Sequence, residues 1–402
     1  MLVNNDVWGS KKKKLKIESI QRPVRYSAVR FSLLNSIATD LGGLNLTYDI
    51  IIAGAGSVGV PTAMALAELG LKPLVVDMHP SPGQGENKHA IGGIRATHSE
   101  PAKILTCRRS LEIFSTWQTL HGDNIEWLKG GYVFPVYRPG DEEMLQGLLP
   151  VQKKFGLNID FVGSQTIHKL IPGINPQGLR GGTVSSDDGS ISPLLAVNAF
   201  YRRALKSGAE FHFNEKITEI LCHKGKVIGV ATDKTRYNTA VVIDAAGPFS
   251  PELCKTANID IPIVPDSHEG AITEPVQPFF ECMVVDIRPA AGSKNYYFYQ
   301  NKQGQVIFCI TPDPPIVGKD KRETSQFLPQ VCARMVNLLP RLKNLRVRRT
   351  WRGLYPMTPD GSPLIGWSRE IEGLFHVTGM CGQGLMLAPG LAETAARTIA
   401  GS

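Results

Sequence analysis

A glycine-punctuated stretch from Tyr48 to His79, YDIIIAGAGSVGVPTAMALAELGLKPLVVDMH, constrains the fold of this chain more than any other feature. Residues 50–52 have the continuous hydrophobicity of a strand buried on both faces. Residues 61–69 are rich in Ala and Leu and end at Gly70, which predicts a helix, and residues 74–76 predict a second buried strand. A strand, a helix and a second parallel strand form a βαβ unit, so the stretch predicts an α/β fold with a doubly wound parallel sheet.

The turn inside this unit fits the pattern G-x-G-x-x-G, in which the glycines permit a tight turn, close approach of a pyrophosphate, and close packing of helix on strand. Free N–H groups at the helix start then face the phosphates. Asp77, at the end of the second strand, is placed to accept hydrogen bonds from a ribose diol. The turn predicts a bound dinucleotide but does not distinguish FAD from NAD. The alternative is a glycine turn that binds no ligand. The predicted contacts here are Gly54, Gly56, Ser57, Val58, Gly59, Asp77 and Met78.

Two later glycine loops favour FAD. One, residues 245–248, follows a buried strand, and the other, residues 378–384, precedes the C-terminal helix. N–H groups of the second loop could meet an anionic edge of the flavin. A nicotinamide-dependent dehydrogenase does not need its C-terminal segment at the cofactor. An FAD-dependent enzyme does, because the long isoalloxazine extends to that segment. The predicted contacts in these loops are Ala246, Gly247, Gly382, Gln383, Gly384, Leu385 and Met386.

The segments between the loops alternate in character, which predicts two domains built from discontinuous pieces. The α/β patterns predict a Rossmann-like FAD-binding domain, and the strand-rich patterns predict a substrate domain on an antiparallel β-sheet. The FAD-binding domain is assigned residues 47–124, 190–265 and 345–402, the substrate domain residues 125–189 and 266–344, and an N-terminal extension residues 1–46. Helices are expected at residues 101–120 and 192–207, and hairpins over residues 224–225 and 302–304.

Composition and charge argue against several other classes. Apolar content of 42% and charged content of 20% are ordinary for a globular protein, and no run approaches eighteen consecutive apolar residues, so no membrane span is expected. The net charge is +8, with basic clusters at residues 11–14 and 341–352; a charged surface is favoured over nucleic-acid binding because no nucleic-acid-binding signature accompanies them. Seven scattered cysteines without a CxxC predict reduced thiols in a cytoplasmic protein, and no metal site is predicted.

Beyond its glycine loops, the chain resembles the amino-acid and amine oxidase family that includes glycine oxidase, monomeric sarcosine oxidase and the flavin β-subunits of heteromeric sarcosine oxidases and proline dehydrogenases. The resemblance runs from about residue 47 to the end. It rests on GGIRATHSEP (92–101), DDGSISP (187–193), AAGPFS (245–250), ITEPV (272–276), GLYPMTPDGSPLIG (353–366) and GMCGQGLMLAPG (379–390). It implies FAD as cofactor and oxidation of a C–N bond, in which a hydride leaves the α-carbon of a neutral amine for flavin N5 and gives an imine that is hydrolysed or released. It also implies FAD contacts at Gly92, Gly93, Ile94, Ile217 and Gly361.

The resemblance places three residues at the reacting centre. Arg95 matches an arginine near the flavin that can pair with a substrate carboxylate, and a guanidinium fork fits a carboxylate with two hydrogen bonds; a structural loop arginine is the alternative. Tyr355 matches a tyrosine beside the flavin, with a packed core tyrosine as the alternative. His268 matches a position that often faces the substrate and could act as a base, unless it is a surface-loop histidine. Tyr297 and Tyr299 alternate along one strand and are expected in the core more than in the pocket.

Departures from the family pattern carry predictions of their own. In monomeric sarcosine oxidase the flavin is covalently bound to a cysteine, and this chain has Gly353 at that position. Other relatives bind the flavin covalently through a histidine, but His89 is out of register with it. The FAD is therefore expected to be non-covalent. Met386 stands where the resemblance places a lysine that helps to hold the carboxylate. Either carboxylate binding relies more on Arg95, or the substrate is unlike sarcosine. Cys381 is expected to be a small packed residue rather than a redox thiol, because no partner cysteine is near in sequence.

The leading hypothesis is an FAD-dependent dehydrogenase or oxidase of an amino acid or secondary amine of the proline, sarcosine or glycine type. Two alternatives stay open: oxidation of a 2-hydroxy acid on the same fold, and a flavin β-type subunit that passes electrons to a partner. In the second case the basic stretch 341–352 and the N-terminal extension could serve docking. The sequence is compatible with a homo-oligomer or a hetero-oligomer.

Overall fold

The computed structural model describes residues 48–401, so the predicted N-terminal extension and its basic cluster at residues 11–14 lie outside the described part. The α-helices of residues 48–401 are α1 (Gly59–Glu68), α2 (Pro101–His121), α3 (Pro139–Lys154), α4 (Ser164–Leu170), α5 (Pro193–Lys206), α6 (Ser250–Lys255), α7 (Phe327–Leu338) and α8 (Gly384–Ala400). Short 3₁₀ helices cover Glu86–His89, Gly247–Phe249 and Pro340–Asn344. Within this part of the chain, no helix combines the length and the hydrophobicity that crossing a bilayer requires.

The strands, numbered in chain order, form four sheets. They are β1 (Ile50–Ala53), β2 (Pro73–Val76), β3 (Gly93–Ile94), β4 (Tyr132–Val136), β5 (Ile159–Gly163), β6 (Gly181–Ser185), β7 (Gly189–Ser190), β8 (Glu210–His212), β9 (Ile217–His223), β10 (Lys226–Thr232), β11 (Arg236–Asn238), β12 (Val242–Asp244), β13 (Val264–Thr273), β14 (Met283–Asp286), β15 (Ser293–Gln300), β16 (Val306–Pro312), β17 (Val347–Met357), β18 (Leu364–Trp367) and β19 (Leu374–Thr378).

The predicted βαβ unit forms the centre of a six-stranded sheet with the order β18-β19-β12-β1-β2-β8. All neighbours in this sheet are parallel except β18 and β19. Alternate residues of β1 point to opposite faces: Ile50 and Ile52 pack into a core with the helices, and Ile51 packs into a second core with the sheet β9–β11. Apolar contacts on both faces explain why the strand sequence is continuously hydrophobic. This mixed α/β architecture confirms the predicted fold class.

The second large sheet has eight strands in the order β17-β13-β16-β15-β14-β4-β6-β5, all antiparallel except the β14–β4 pair. One face packs on α7, where Val331 and Met335 meet Phe298 and Phe308. The other face carries Tyr132, Met283 and Tyr299, with Phe134, Val285, Tyr297 and Ile307 packed around them. This second face forms one wall of the candidate site described below.

The hairpins predicted over residues 224–225 and 302–304 are both confirmed, as β9–β10 and β15–β16. Helix α5 also begins as predicted, with Ser192 Oγ accepting the Leu195 N–H at its N-terminus. Helices α3, α4 and α7 fall in segments that the sequence suggested were strands and turns. Strand β17 lies in the segment 345–402 assigned to the FAD-binding domain, but it pairs with β13 along its length as part of the eight-stranded sheet.

Close packing at the first glycine turn generates a stability prediction. A Cβ atom on Gly59 would lie 1.9 Å from the Gly54 carbonyl oxygen, a backbone atom that cannot move aside. We expect Gly59→Ala to lower the free energy of unfolding of the flavin-free protein by about 3 kcal/mol or more, measured by urea titration. Gly147→Ala in α3 is the matched control, because a Cβ there meets nothing within 4 Å; it should stabilise the helix by about 0.5–1 kcal/mol. Equal midpoints for the two variants would contradict the packing role of Gly59.

Candidate active site

A cavity of about 770 Å³ lies between the six-stranded sheet with its glycine loops and the inner face of the eight-stranded sheet. It falls in the range typical of cofactor and ligand sites. The elements that reach it come from distant parts of the chain: the turn after β1, the segment before β3, the turn after β12, strands β13 to β17, and the loop after β19. Ligands of open parallel sheets commonly bind at the carboxyl ends of the strands, which is where these glycine loops lie.

The first glycine turn supplies one end of the cavity. Gly54, Gly56, Ser57 and Val58 line it, and α1 begins at Gly59 without a side-chain cap. A Cβ on Gly56 would meet nothing within 4 Å, so no part of the described protein requires a glycine there. Free N–H groups, an uncapped helix start and open space above Gly56 suit a phosphate group.

Asp77 lies beside this turn and lines the cavity. Its Oδ2 accepts the Ala55 N–H at 2.6 Å, and its Oδ1 accepts the His79 N–H at 2.8 Å. These bonds fix the carboxylate at the end of β2 and leave lone pairs for a further donor, since an ionised carboxylate has about four acceptor positions. The position is compatible with the predicted contact to a ribose hydroxyl.

Most of the other predicted cofactor contacts line the same cavity. These are Met78, Gly92, Gly93, Ile217, Ala246, Gly247, Gly382, Gln383, Gly384, Leu385 and Met386. Three predicted contacts are not among the lining residues. Gly59 packs against the Gly54 carbonyl, Ile94 is fully buried in the hydrophobic core, and the Gly361 carbonyl accepts the Lys103 Nζ at 2.9 Å.

Unpaired polar atoms show that the cavity suits a polar group. Among residues 48–401, six buried side-chain N or O atoms have no hydrogen-bond partner. Four of them belong to residues that line the cavity: Asn87 Oδ1, His89 Nδ1, His268 Nδ1 and Gln383 Oε1. His89 Nδ1 lies 3.3 Å from Glu86 Oε2, but without hydrogen-bond geometry. Because buried polar groups are normally paired, this clustering indicates a ligand with several donors and acceptors, as FAD has.

His268 and Tyr355 come together on the eight-stranded sheet and both line the cavity. Their rings stack with centroids 3.9 Å apart and an interplanar angle of 19°. His268 Nε2 lies 3.1 Å from Asp266 Oδ2, which leaves Nδ1 unpaired. Asp266 is itself held by the Ile316 N–H at 2.8 Å. The carboxylate thus orients an imidazole whose second nitrogen remains available as a base.

Tyr355 is fixed from two sides. Its hydroxyl lies 3.0 Å from the Tyr297 hydroxyl, and a Cβ on Gly382 would lie 2.2 Å from its ring, so the glycine loop packs directly on the tyrosine. Burial raises the pKa of both Tyr355 and Tyr297 above the ordinary tyrosine value, so both remain neutral hydroxyls. Tyr297 lines the cavity, so the core position favoured for it was wrong, whereas Tyr299 donates to the Ile91 carbonyl at 2.6 Å outside that lining.

Arg95 follows β3 and lines the cavity with 9% of its surface exposed. Its Nη1 donates to the Thr97 carbonyl, and none of the ion pairs found among residues 48–401 includes Arg95. Buried cations are normally paired, so an arginine in this state is suited to an anion that enters the cavity.

Asp188 lies behind Arg95 and outside the cavity lining. It is 1% exposed, and it accepts the Ala96 N–H at 2.9 Å and the Thr97 hydroxyl at 3.3 Å. Burial raises the pKa of Asp188 to about 6, although these hydrogen bonds and the Arg95 charge act in the opposite direction. Burial and the nearby Arg95 charge hold the pKa of His98 well below its ordinary value, so His98 is neutral at physiological pH. Asp188 is therefore the group near Arg95 whose charge changes around pH 6.

Several residues of the cavity were not predicted from the sequence. Helix α3 contributes Leu145, Leu148 and Gln152, which share one helix face at spacings of three and four residues. The signals for this helix are present: Pro139 at its start, acids in its first turn and lysines in its last. Gly140, Gly147 and Pro150 obscure them, because these residues normally argue against a helix.

The remaining residues that the sequence analysis discussed also lie near the cavity. His89 lines it beside Gly353, where a Cβ would lie 2.7 Å from the His89 Cβ. Met386 lines it at the start of α8. Cys381 is buried and its Sγ lies 3.2 Å from the Thr358 hydroxyl, which matches the expected packed residue. Burial raises the pKa of the Cys381 thiol, so it stays protonated.

A buried cluster behind the glycine loop at residues 245–248 contains Asp244, Cys254 and His376, whose ligand-type atoms lie within 4.8 Å of one another. His376 Nδ1 and Cys254 Sγ lie 3.2 and 3.5 Å from Asp244 Oδ2, and the Ser250 hydroxyl donates to Asp244 Oδ1 at 2.6 Å. Asp244 Oδ1 also accepts the Ala246 N–H at 3.2 Å. These direct contacts anchor the loop that lines the cavity.

Comparison with known proteins places this geometry in context. A family model described as DAO, FAD dependent oxidoreductase, matches residues 49–398. The chain is similar to the sarcosine oxidase subunit beta of Rhizobium meliloti, with 23% identity over 85% of this chain and 82% of the relative. It is 21% identical to a 4-methylaminobutanoate oxidase (formaldehyde-forming) of Paenarthrobacter nicotinovorans over 87% of this chain, but it spans only 43% of that protein. The structure of an L-proline dehydrogenase from P. horikoshii superposes with a TM-score of 0.83 and 27% identity, covering 88% of this chain and 93% of the other.

Gly56 provides a test of the phosphate end. Because a Cβ there meets no protein atom within 4 Å, we expect Gly56→Ala to fold with the stability of the wild type. The added methyl occupies the space of the phosphates, so the Kd for FAD should rise by at least about tenfold, measured by quenching of FAD fluorescence. Gly147→Ala, at a position whose Cβ is also free of contacts and which lies outside the cavity lining, controls for a general glycine effect. Unchanged FAD affinity in Gly56→Ala would contradict a phosphate site at this turn.

Asp188 generates a prediction about pH. A carboxylate ligand that pairs with Arg95 is disfavoured by an ionised Asp188, so it should bind more tightly below the Asp188 pKa of about 6 than above it. We expect the Kd of butyrate, measured from the perturbation of the flavin spectrum, to rise by about tenfold between pH 5 and pH 7.5, which corresponds to about 1.4 kcal/mol. Asp188→Asn should remove most of this dependence, whereas Asp187→Asn, at the neighbouring exposed carboxylate, should preserve it. The same pH dependence in Asp188→Asn and wild type would show that another group is responsible.

Proposed function

Since the chain belongs to the DAO family of FAD dependent oxidoreductases, we propose that it oxidises the C–N bond of an amino acid or secondary amine of the proline, sarcosine or glycine type. The observation that carries this proposal is Arg95, a cation in the cavity wall without an ion-pair partner among the described residues. A guanidinium in that state favours a substrate with a carboxylate. The names of the relatives, which include oxidases of methylated amino acids and a proline dehydrogenase, support the same substrate class.

The residues of the cavity suit FAD as a non-covalent cofactor. Gly54, Gly56, Ser57 and Val58 would hold the pyrophosphate, Asp77 the ribose, and the loop at residues 382–386 the flavin edge. Bound FAD supplies the two-electron acceptor for the hydride that leaves the substrate. Gly353 offers no side chain for a covalent link, and a residue with a Cβ there would clash with His89.

In this proposal the side chains divide the work of binding and proton transfer. Arg95 holds the substrate carboxylate, and its charge-assisted hydrogen bonds orient the α-carbon. His268 takes a proton at Nδ1, because Asp266 occupies Nε2 and stabilises the protonated ring. The neutral hydroxyls of Tyr355 and Tyr297 offer hydrogen bonds near the reacting atoms and exclude water from the sheet face.

The neutral form of the amine suits this cavity. Among residues 48–401, the carboxylates that line it are Asp77, Glu86 and Glu252. None of these belongs to the strands that carry Tyr297, His268 and Tyr355. An ammonium group would therefore find no anionic partner among the residues of that sheet that line the cavity, whereas a neutral amine retains the lone pair that assists departure of a hydride. His268 is placed to accept the proton that the substrate loses.

The proposal is tested by adding substrates to the FAD-loaded protein without oxygen and following the visible flavin absorbance. The panel contains glycine, sarcosine, L-proline and longer amino acids, together with the matching 2-hydroxy acids. We expect amines to bleach the flavin and the hydroxy acids to leave it oxidised. Bleaching by hydroxy acids alone would transfer the proposal to C–O oxidation, and no bleaching by any amine would refute it.

Arg95→Met should lower kcat/KM for the best amino acid by about 10- to 150-fold, because one charge-assisted interaction contributes about 1.5–3 kcal/mol. Its effect on an amine that lacks the carboxylate should be small. Arg397→Met, at an exposed arginine of α8, is the matched control and should retain wild-type activity. Equal losses for substrates with and without a carboxylate would assign Arg95 to the flavin or the fold rather than to substrate binding.

A second candidate is a flavin β-type subunit that transfers electrons to a partner. It is favoured by the similarity to a sarcosine oxidase subunit, of which this chain covers 82%. It also agrees with the exposed Arg346, Arg348 and Arg349 on and beside β17, which is an edge strand of its sheet. Amine-dependent turnover with an artificial dye, but not with oxygen, and co-purification of a second polypeptide would favour this arrangement over a self-sufficient oxidase.

A further inference from the structure

The cavity has two chemically different ends. The end at the first glycine turn is lined by backbone amides and polar groups. Where α3 and strands β4, β5 and β14 reach the cavity, its lining consists mainly of hydrocarbon side chains, which we call the apolar subsite. Its members are Phe134, Leu145, Leu148, Ile159, Val285 and Ile287.

The apolar subsite is built from separate elements that converge on one space. Helix α3 supplies Leu145 and Leu148, which are three residues apart and so lie on the same helix face. Strands β4, β5 and β14 supply Phe134, Ile159 and Val285. Phe134 and Val285 pack in one cluster with Tyr132 and Met283, so their positions are fixed by neighbouring side chains. A subsite with such rigid walls selects ligands by size and polarity.

The polar side chains that line the cavity on these elements and beside them are Tyr132, Gln152, Thr183 and Asn295, and two of the four are held by hydrogen bonds to the protein. Asn295 Oδ1 accepts the Thr311 hydroxyl at 2.9 Å, and Gln152 Nε2 donates to the His98 carbonyl at 3.2 Å. Among the described residues that line the cavity, α3, β4, β5 and β14 contribute no carboxylate and no lysine. Arg95 is the one arginine of this lining. A polar substrate side chain would lose its hydration here and would find few partners among mostly hydrocarbon walls.

We propose that the apolar subsite holds a hydrocarbon substituent of an amino acid whose carboxylate pairs with Arg95. The preferred substrates are then amino acids with a propyl-sized or larger substituent, on the α-carbon or on the nitrogen, rather than glycine or sarcosine. This inference rests on the proposed oxidation of amino acids and specifies the substrate class. Glycine and sarcosine leave the six hydrocarbon side chains of the subsite without a contact, whereas a propyl group removes apolar surface from water on both sides.

The test compares two series of substrates with the FAD-loaded enzyme and an artificial electron acceptor. One series lengthens the α-substituent, from glycine through alanine and 2-aminobutyrate to norvaline. The other lengthens the N-substituent, from sarcosine through N-ethylglycine to N-propylglycine, which is an isomer of norvaline. Burying one methylene contributes about 0.8 kcal/mol, so kcat/KM should rise about fourfold per methylene in the series that enters the subsite. Leucine should also exceed asparagine, its near-isostere, by at least about tenfold.

Variants of the subsite connect this preference to the named side chains. Leu148→Asn should lower the ratio of kcat/KM for the better propyl isomer to that for glycine by about tenfold. Val285→Thr keeps the side-chain shape and replaces a methyl group by a hydroxyl, so it should lower the same ratio. It replaces Leu148→Asn in the test if that variant does not fold. Met144→Asn, at an exposed residue of α3 outside the cavity lining, should preserve the ratio.

The outcomes separate the two levels of the proposal. Selectivity that rises with chain length, and falls in Leu148→Asn or Val285→Thr but not in Met144→Asn, supports the inference. If amines reduce the flavin but glycine or sarcosine equals both propyl isomers, the apolar subsite is not a substrate subsite and the inference is refuted, while the oxidation of amino acids stands. If no amine reduces the flavin, the proposed function itself fails.

Discussion

The antiparallel pairing of β13 with β17 determines how His268 and Tyr355 are arranged at the proposed reacting centre. The register places Asp266 opposite Tyr355 and His268 opposite Gly353, so His268 and Tyr355 are diagonal neighbours on one face of the sheet and their rings stack. The end of β17 also meets the last glycine loop, where the Cys381 N–H donates to the Pro356 carbonyl at 3.1 Å and the Tyr355 ring packs on Gly382. A one-residue slip of β17 in this pairing would turn Tyr355 to the opposite face of the sheet and separate its ring from His268.

Much of the fold could be predicted because its signals are local. The glycine turn, the helix at Pro193–Lys206 and the two hairpins each depend on residues within a few positions of one another. Helix α3 could not be recognised in the same way, because its glycines and Pro150 contradict its apolar spacing. Arg95, His268 and Tyr355 line one cavity because the sheets and loops assemble around it, and no short stretch of sequence encodes that assembly. Tyr297 shows the same limit: its alternation identifies a strand face, but only the assembled sheet shows that this face borders a cavity.

In the proposed arrangement, helix α3 would contribute to the selection of substrate and not to the binding of the cofactor. Its Leu145 and Leu148 reach the cavity, while the glycine loops that would hold the cofactor come from other elements. The helix lies in the segment between β4 and β5, next to the end of the eight-stranded sheet at which β5 is the edge strand. Changes on its inner face would alter the size and polarity of one end of the cavity and leave the predicted phosphate and ribose contacts unchanged. Such a division allows one scaffold to serve substrates of different shape.

The four unpaired polar atoms beside the cavity have a consequence for how much of this protein a cell contains. Each such atom weakens the folded chain as long as it has no partner, and a bound cofactor that pairs with them stabilises the folded state by mass action. For newly made chains, binding of flavin would therefore compete with degradation by proteases. When flavin is scarce, the amount of protein should fall along with its activity, so vitamin supply would set the level of the enzyme without any change in the transcription of its gene.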